Sequence, residues 1–229
     1  MKKLLLILLC LPMIGFGQKT YVPDNNFEAY LESNGMGDGI AFNDSVFTSA
    51  IDTSISVYVP FCQISDLTGI EDFTALKWLE CEGNNLATLD LSNNNNLDAL
   101  YCYGNQLTHL DVGQSPYLWH IECQGNQLTS IDVSNLTGLQ NLWCENNLLT
   151  NIDFSNNAIL YWLRCSNNQL TSLDVSSKIY LGTLDCRDNQ LTSLDLSTNT
   201  SLGILNCSNN QLTSVDVRNG YNVLGLNSA

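Results

Sequence analysis

Basic side chains are scarce in this sequence. Its 229 residues hold eight Lys and Arg against 23 Asp and Glu, a formal charge of −15, and two histidines, His109 and His120. Binding a phosphate backbone depends on Lys and Arg, so nucleic acid is not an expected partner. There is no glycine-rich phosphate loop and no zinc-ligand spacing, and Ser and Asp recur at fixed intervals rather than in one constellation, which leaves little material for an enzyme. Long apolar runs are also missing. The run Leu4 to Leu11 falls short of the ~20 residues of a spanning helix. With Lys2 and Lys3 before it and Gly15-Phe16-Gly17 ahead of Gln18, residues 1–17 read as a secretory signal peptide. A lipid anchor through Cys10 is the competing reading, opposed by the bulky Leu9. Removing the leader leaves six basic residues against 23 acidic, a formal charge of −17. The expectation is an exported chain, extracellular or on the cell surface, with no membrane span.

What the chain has in abundance is one sentence repeated every 21 residues. The frame Leu-x-x-Leu-x-Cys-x-x-Asn-x-Leu-Thr-x-Leu-Asp starts at Leu76, Leu97, Leu118, Leu139, Leu160, Leu181 and Leu202. A fixed period of this size marks a stacked architecture in which each copy buries its apolar face against its neighbours. Within a copy, Trp78-Leu79-Glu80-Cys81-Glu82 alternates outward and inward, the period-2 pattern of a strand. Stacking the copies makes a parallel sheet with rungs ~4.8 Å apart. The second half, as in Leu170-Thr171-Ser172-Leu173-Asp174-Val175, turns Leu173 and Val175 inward and returns without the length for a helix.

The frame resembles a leucine-rich repeat of the secreted bacterial kind, similar in style to internalin-type surface proteins, with Cys where most members place a third Leu. The residues that carry this are Leu163, Cys165, Asn168, Leu170 and Leu173 and their equivalents in the other copies, about two thirds of the chain. The resemblance implies an α/β-type solenoid: a right-handed superhelix with a parallel β-sheet on the concave face, few or no true helices on the convex side and a short N-terminal helical cap. The division is residues 1–17 signal peptide, 18–53 N-terminal cap and 54–229 repeats, about eight rungs with the last incomplete. In the cap, Asp24 can N-cap a helix whose Phe27, Tyr30 and Leu31 share one face, with Asn34-Gly35 as its stop. Residues 35–53 read as irregular and glycine-rich, with turn chemistry weighed against a calcium loop through Asp38, Asp44 and Asp52. A degenerate first rung follows from Ser54, with Val57 and Val59 where later rungs have Leu79 and Cys81, and its tail, DLTGIEDFTA, resembles the first repeat of the bacterial family. Val223 onward begins an eighth copy, which reads as a sequence continuing beyond Ala229.

Four columns follow from the period. Cys81, Cys102, Cys123, Cys144, Cys165, Cys186 and Cys207 face inward a rung apart, too far for the ~3.8 Å Cβ separation of a disulfide, and act as buried free thiols. Asn84, Asn105, Asn126, Asn147, Asn168, Asn189 and Asn210 sit where the chain leaves each strand, able to bond turn backbone and the next Asn along the stack. Asp90, Asp111, Asp132, Asp153, Asp174, Asp195 and Asp216 cap convex turns. Thr108, Thr129, Thr150, Thr171, Thr192 and Thr213 form a hydroxyl row, such as ice-binding solenoids display. No cofactor and no resident metal are implied.

Function belongs where copies differ, on the outward strand positions. The candidate ligand-binding residues are Trp78, Glu80, Glu82, Tyr101, Tyr103, His120, Glu122, Trp143, Glu145, Trp162 and Arg164, with Trp119 and Tyr161 at the edge. Exposed aromatics ringed by carboxylates are anchors of a recognition surface, although aromatics also suit strands for their own sake. The expected activity is binding of an extracellular protein, by a monomer, on the concave aromatic and acidic face. A glycan stacked on the rings is the alternative, and an ice-binding or purely structural solenoid the minor one. Glu80 and Glu122, two rungs apart at about 9–10 Å, are the nearest thing to a glycosidase pair, and ordinary surface acids produce the same spacing.

Overall fold

The computed structural model describes residues 17–112, 115–215 and, as backbone, 224–227. Residues 1–16 of the leader, with Cys10, and Asp216, Val223 and the last two residues lie outside them. The chain opens with β1 (Lys19–Tyr21), α1 (Asn25–Ser33), β2 (Ser45–Phe47) and α2 (Thr48–Ile51). α1 forms as the sequence predicts. The Asp24 carboxylate accepts from the N–H groups of Asn26 and Phe27 at 3.0 and 3.1 Å, and Phe27 and Leu31 are fully buried. Helix and repeat stack are tied by the same carboxylate, which also accepts from the Ser65 N–H at 2.8 Å.

Two details of this segment correct the expectation of an irregular stretch over 35–53. β2 pairs antiparallel with β1, Thr20 opposite Val46, and α2 follows directly. The order comes from Glu28, buried on α1, whose two oxygens accept from the backbone N–H groups of Asn43 at 2.9 Å and Asp44 at 3.3 Å. A carboxylate inside a helix pattern carries no sequence sign of such a long-range role. Asp38 is engaged by Lys19 and Asn43.

From Ser56 the chain coils. The strands β3 (Ser56–Tyr58), β4 (Trp78–Glu80), β5 (Ala99–Tyr101), β6 (His120–Glu122), β7 (Asn141–Trp143), β8 (Trp162–Arg164), β9 (Thr183–Asp185), β10 (Ile204–Asn206) and β11 (Leu224–Asn227) pair in sequence order. β3 through β10 are parallel and in register, so Val57, Leu79, Leu100, Ile121, Leu142, Leu163, Leu184 and Leu205 form one buried column. β11 joins with a shift in register. Outside the cap, the helical structure among the described residues is a 3-10 turn at Ile70–Asp72. The architecture is a parallel-sheet solenoid with one continuous core.

Each rung closes through two side-chain ladders. In the first, the Asn126 Nδ2 donates to the carbonyls of Cys102 and Cys123 at 3.1 and 3.0 Å, and its Oδ1 accepts from the Leu107 N–H at 3.0 Å. The same three bonds recur along the column. The bonds run to backbone of two successive rungs and not to the next Asn, which corrects that part of the expectation: an amide with its three groups engaged in this way has none left for its neighbour. In the second ladder, on the opposite side of the coil, the Asn157 Nδ2 donates to Val133 O and Leu136 O at 3.0 and 2.7 Å, and Asn199 does the same to Val175 O and Lys178 O at 2.8 and 2.9 Å. Lys178 occupies this column between them, buried, with its Nζ donating to Ser177 Oγ at 2.6 Å. Burial pushes its ammonium below the ordinary lysine range, and Asp174 and Asp153 only partly oppose that.

The seven repeat cysteines are buried free thiols, and burial pushes them far up, so they remain protonated. Asp90, Asp132, Asp153, Asp174 and Asp195 each accept from the N–H two residues on, at 2.8–3.0 Å, as convex turn caps.

Two stability predictions follow from the ladders. Asn126→Leu orphans three backbone groups in mid-stack and should cost about 3 kcal/mol or more in urea unfolding, since each buried unpaired group costs ~1–3 kcal/mol. Lys178→Asn restores an amide able to reach Phe154 O and Asn157 O, and should raise stability by about 1–2 kcal/mol in the same assay; an unchanged midpoint would mean that Lys178 already holds its rung as well as an amide does.

Candidate functional site

The residue two after each Cys adopts a left-handed backbone: Gly83, Gly104 and Gly125 at φ 65–66°, then Asn146, Asn167, Asp188 and Asn209 at 54–55°. Gly, Asn and Asp are the residues that best tolerate this region, so this column is the hinge that ends each strand. At 83 a Cβ would also lie 2.2 Å from the exposed Phe61 ring, which would have to turn aside to admit it. With the chain turned away at that point, the three positions before it are displayed across the sheet in every rung.

On that face the aromatic residues form a connected chain. Ring centroids run Tyr101 to His120 at 5.0 Å, His120 to Trp143 at 5.8 Å and Trp143 to Trp162 at 6.0 Å. Trp119 joins at His120 at 5.2 Å, and Tyr161 joins at Trp162 at 6.3 Å, so the series passes over the sheet edge. The Arg164 guanidinium lies 4.4 Å from the Trp143 ring and 6.0 Å from Trp162, a cation–π arrangement.

The candidate residues are not equally open. Trp78 is 40% exposed, while Glu80, Tyr101, Tyr103, Glu122, Trp143, Glu145, Trp162 and Arg164 are half-buried. His120 is 7% exposed and Glu82 8%. Both stand on the outer side of the sheet as expected, but His120 is closed in by the rings of Tyr101, Trp119 and Trp143. Its Nε2 meets Glu122 Oε1 at 3.0 Å, and Gln124 donates to the other Glu122 oxygen at 3.3 Å. Ala99, in the same column, is fully buried.

Polar atoms here are left without partners in the chain: Glu82 Oε2, His120 Nδ1, Gln124 Oε1, Trp143 Nε1, Glu145 Oε2 and Trp162 Nε1. Burial pushes the Glu82 carboxyl above the ordinary range, and Glu80 and Glu122 add to it. Burial does the same to Glu145, with Arg164 opposing and Asp185 and Glu122 reinforcing. The Tyr101 and Tyr103 hydroxyls are pushed up by burial and by the charges of Glu80, Glu82 and Glu122, which places three carboxylates around two phenols.

Elsewhere, a cavity of about 420 Å³ opens on the convex side between Asp153, Asp174 and Lys178, lined mainly by turn-capping residues. The threonine row is exposed. Among the described residues no group of three or more His, Cys, Asp or Glu is placed to hold a metal ion, and no helix is long and apolar enough to cross a membrane.

No protein-family model matches the sequence, nor does any curated protein. Solved structures do. The functional domain of InlJ from Listeria monocytogenes, described as including a cysteine ladder, is 32% identical over 88% of this chain and 54% of that one, with a TM-score of 0.52. Internalin C2 from the same species covers 93% of this chain and 99% of its own at 21% identity and a TM-score of 0.81. A leucine-rich-repeat protein of Leptospira interrogans is 26% identical over 72% of this chain and 45% of that one, with a TM-score of 0.63. The chain thus spans about half the length of the InlJ domain. These neighbours place the coil in the leucine-rich-repeat fold, a fold of protein–protein interaction modules.

The raised carboxyl of Glu145 has a measurable consequence. A group whose folded-state value is raised contributes stability below the ordinary carboxylate range and loses it as pH rises through the folded value. Glu145→Gln removes that loss, so its melting temperature should exceed the wild type's at neutral pH, with the gap closing as pH is lowered toward about 4. A gap that widens on acidification would reverse the assignment.

Proposed function

The chain is an internalin-like leucine-rich-repeat protein, and we propose that it is an exported recognition module which captures a protein partner on its strand face, between the rungs of Trp78 and Trp162. The observation that carries this is the connected aromatic series from Tyr101 to Trp162, set among Glu80, Glu82, Glu122 and Glu145. Large rigid rings beside carboxylates supply contact area at low entropic cost, and charge selects a basic, partly apolar partner. The leader read in residues 1–17 supports an extracellular or cell-surface location. The role is binding rather than catalysis: His120 is spent on Glu122, and no nucleophile stands with a base beside it on this face.

A glycan is the second reading, favoured by the unpartnered Nε1–H groups of Trp143 and Trp162 and the unpartnered oxygens of Glu145 and Gln124. Donors and acceptors around aromatic faces suit a hydroxylated ring.

The test is capture from neighbour-cell or host surface extracts and on a glycan array, with wild type beside a Tyr101→Ala, Trp143→Ala variant. Capture of protein should be lost in the variant at a nearly unchanged melting temperature, and should weaken as ionic strength rises. Retained capture by the variant moves the site elsewhere, and salt-indifferent capture of saccharide favours the glycan.

A further inference from the structure

At two places on the strand face an aromatic ring of the middle column stands with a glutamate of the next column, Trp143 with Glu145 of its own rung and Tyr101 with Glu82 of the rung before. Around Trp143 and Glu145 the chain supplies its own cation. Arg164 lies 4.4 Å from the Trp143 ring, and its charge acts on Glu145. The other instance is built from Tyr101, Tyr103 and Glu82, with Glu80 and Glu122 in the flanking rungs. Here the outward positions of β4, β5 and β6 and those just after them are Trp78, Glu80, Glu82, Ala99, Tyr101, Tyr103, His120, Glu122 and Gln124, without a Lys or Arg among them.

Acidic residues alone make no site. Glu82 adds an independent sign: it is 8% exposed, and its Oε2 has no partner in the chain although water is largely shut out. An ionised oxygen so placed costs free energy until a donor reaches it. Glu80 and Glu122 add their negative charge around it, which favours a cationic donor over a neutral one. Its shape follows from Arg164, because a planar guanidinium can lie on a ring and hydrogen-bond a carboxylate in the same pose.

We propose that the Glu82, Tyr101 and Tyr103 pocket receives an arginine side chain of the protein partner, seated on the rings as Arg164 is seated on the ring of Trp143. The guanidinium lies across the tyrosine rings, donates to Glu82 Oε2 and is neutralised by Glu80 and Glu122. The pocket rests on the reading of this face as a recognition surface and gives it an orientation, since the basic side of the partner then lies toward the N-terminal rungs.

The test titrates the full chain with N-acetyl-Gly-Arg-Gly amide and its neutral citrulline counterpart at low salt, followed by NMR shifts of the tyrosine rings. Saturable binding should favour arginine over citrulline by about ten-fold or more, the scale of a charge-assisted bond. Glu82→Gln should lose most of that preference with a melting temperature no lower than the wild type's. Asp188→Asn, which removes a charge at a hinge position where Asn stands in three other rungs, should keep it. Equal binding of the two peptides, or equal loss in both variants, overturns the pocket. If Glu82→Gln still captures the partner that Tyr101→Ala, Trp143→Ala loses, the recognition face stands and the pocket falls. Arginine-selective binding together with full capture by the aromatic variant would leave the pocket and overturn the face.

Discussion

A coil of 21 residues with three-residue strands has one governing difficulty, which is where its backbone hydrogen bonds go. The sheet ladder extends two steps past each strand, through the Cys N–H and the N–H of the left-handed residue, as in Cys102 to Glu122 O at 2.8 Å and Gly104 to Gln124 O at 2.9 Å. There the chain turns inward and no strand remains to pair. The asparagine amide takes over, linking two carbonyls and one N–H drawn from consecutive rungs. Unpaired backbone in a buried turn costs too much to leave, so the amide is as much a part of the core as leucine. Cysteine fits the position three before it because a small apolar side chain fills the space beneath the turn without adding a polar group of consequence.

The same difficulty fixes most of the rung. Leucines at the strand centre and after the turn fill the core, the left-handed hinge favours Gly, Asn or Asp, and the convex return needs Asp to hold its Ser N–H. The hinge is Phe61 at φ 55° in the degenerate first rung, Gly in the next three and Asn or Asp in the later ones, where side chains bond along the stack, Asn209 to Asp188 at 2.7 Å. What remains free is the outer side of the strand. Variation is therefore concentrated there by elimination, whatever the partner.

The period made the fold legible: every strand from β4 to β10 falls on the predicted alternating segment, and Val57 and Val59 marked β3 despite a degenerate frame. Three things were not legible. Glu28 organises residues 43–44 through contacts some 15 residues away, which no local pattern encodes. The second amide ladder was hidden because its column reads Asn94, Ser115, Leu136, Asn157, Lys178, Asn199, too mixed to be recognised as one position. The hinge column reads Gly, Asn and Asp, residues that serve many kinds of turn, and only the backbone angles show it to be a row of positive φ. For the face, strand alternation gave the side on which each residue stands, while the closing of rings over His120 depends on neighbours 19 to 23 residues away and needed coordinates.

The contrast between scaffold and face bears on what the face is for. Within the scaffold, the strand-end asparagines meet backbone groups of two rungs at near-ideal distances, rung after rung. On the strand face Glu82, His120, Gln124, Trp143, Glu145 and Trp162 each keep an atom without a partner in the chain. A sequence able to satisfy its backbone seven times over has the means to satisfy six side chains, for instance by placing Ser or Thr there as it does in later rungs. These groups sit instead at buried or half-buried positions beside the rings. Donors and acceptors already fixed in place lose little further entropy when a ligand meets them, and the cost of leaving them unpaired is recovered at that moment. Unpartnered oxygens also occur inside the second ladder, at Asn94 and Asn157, so what sets the face apart is that its unsatisfied atoms stand beside the aromatic series, where the proposed ligand would meet both.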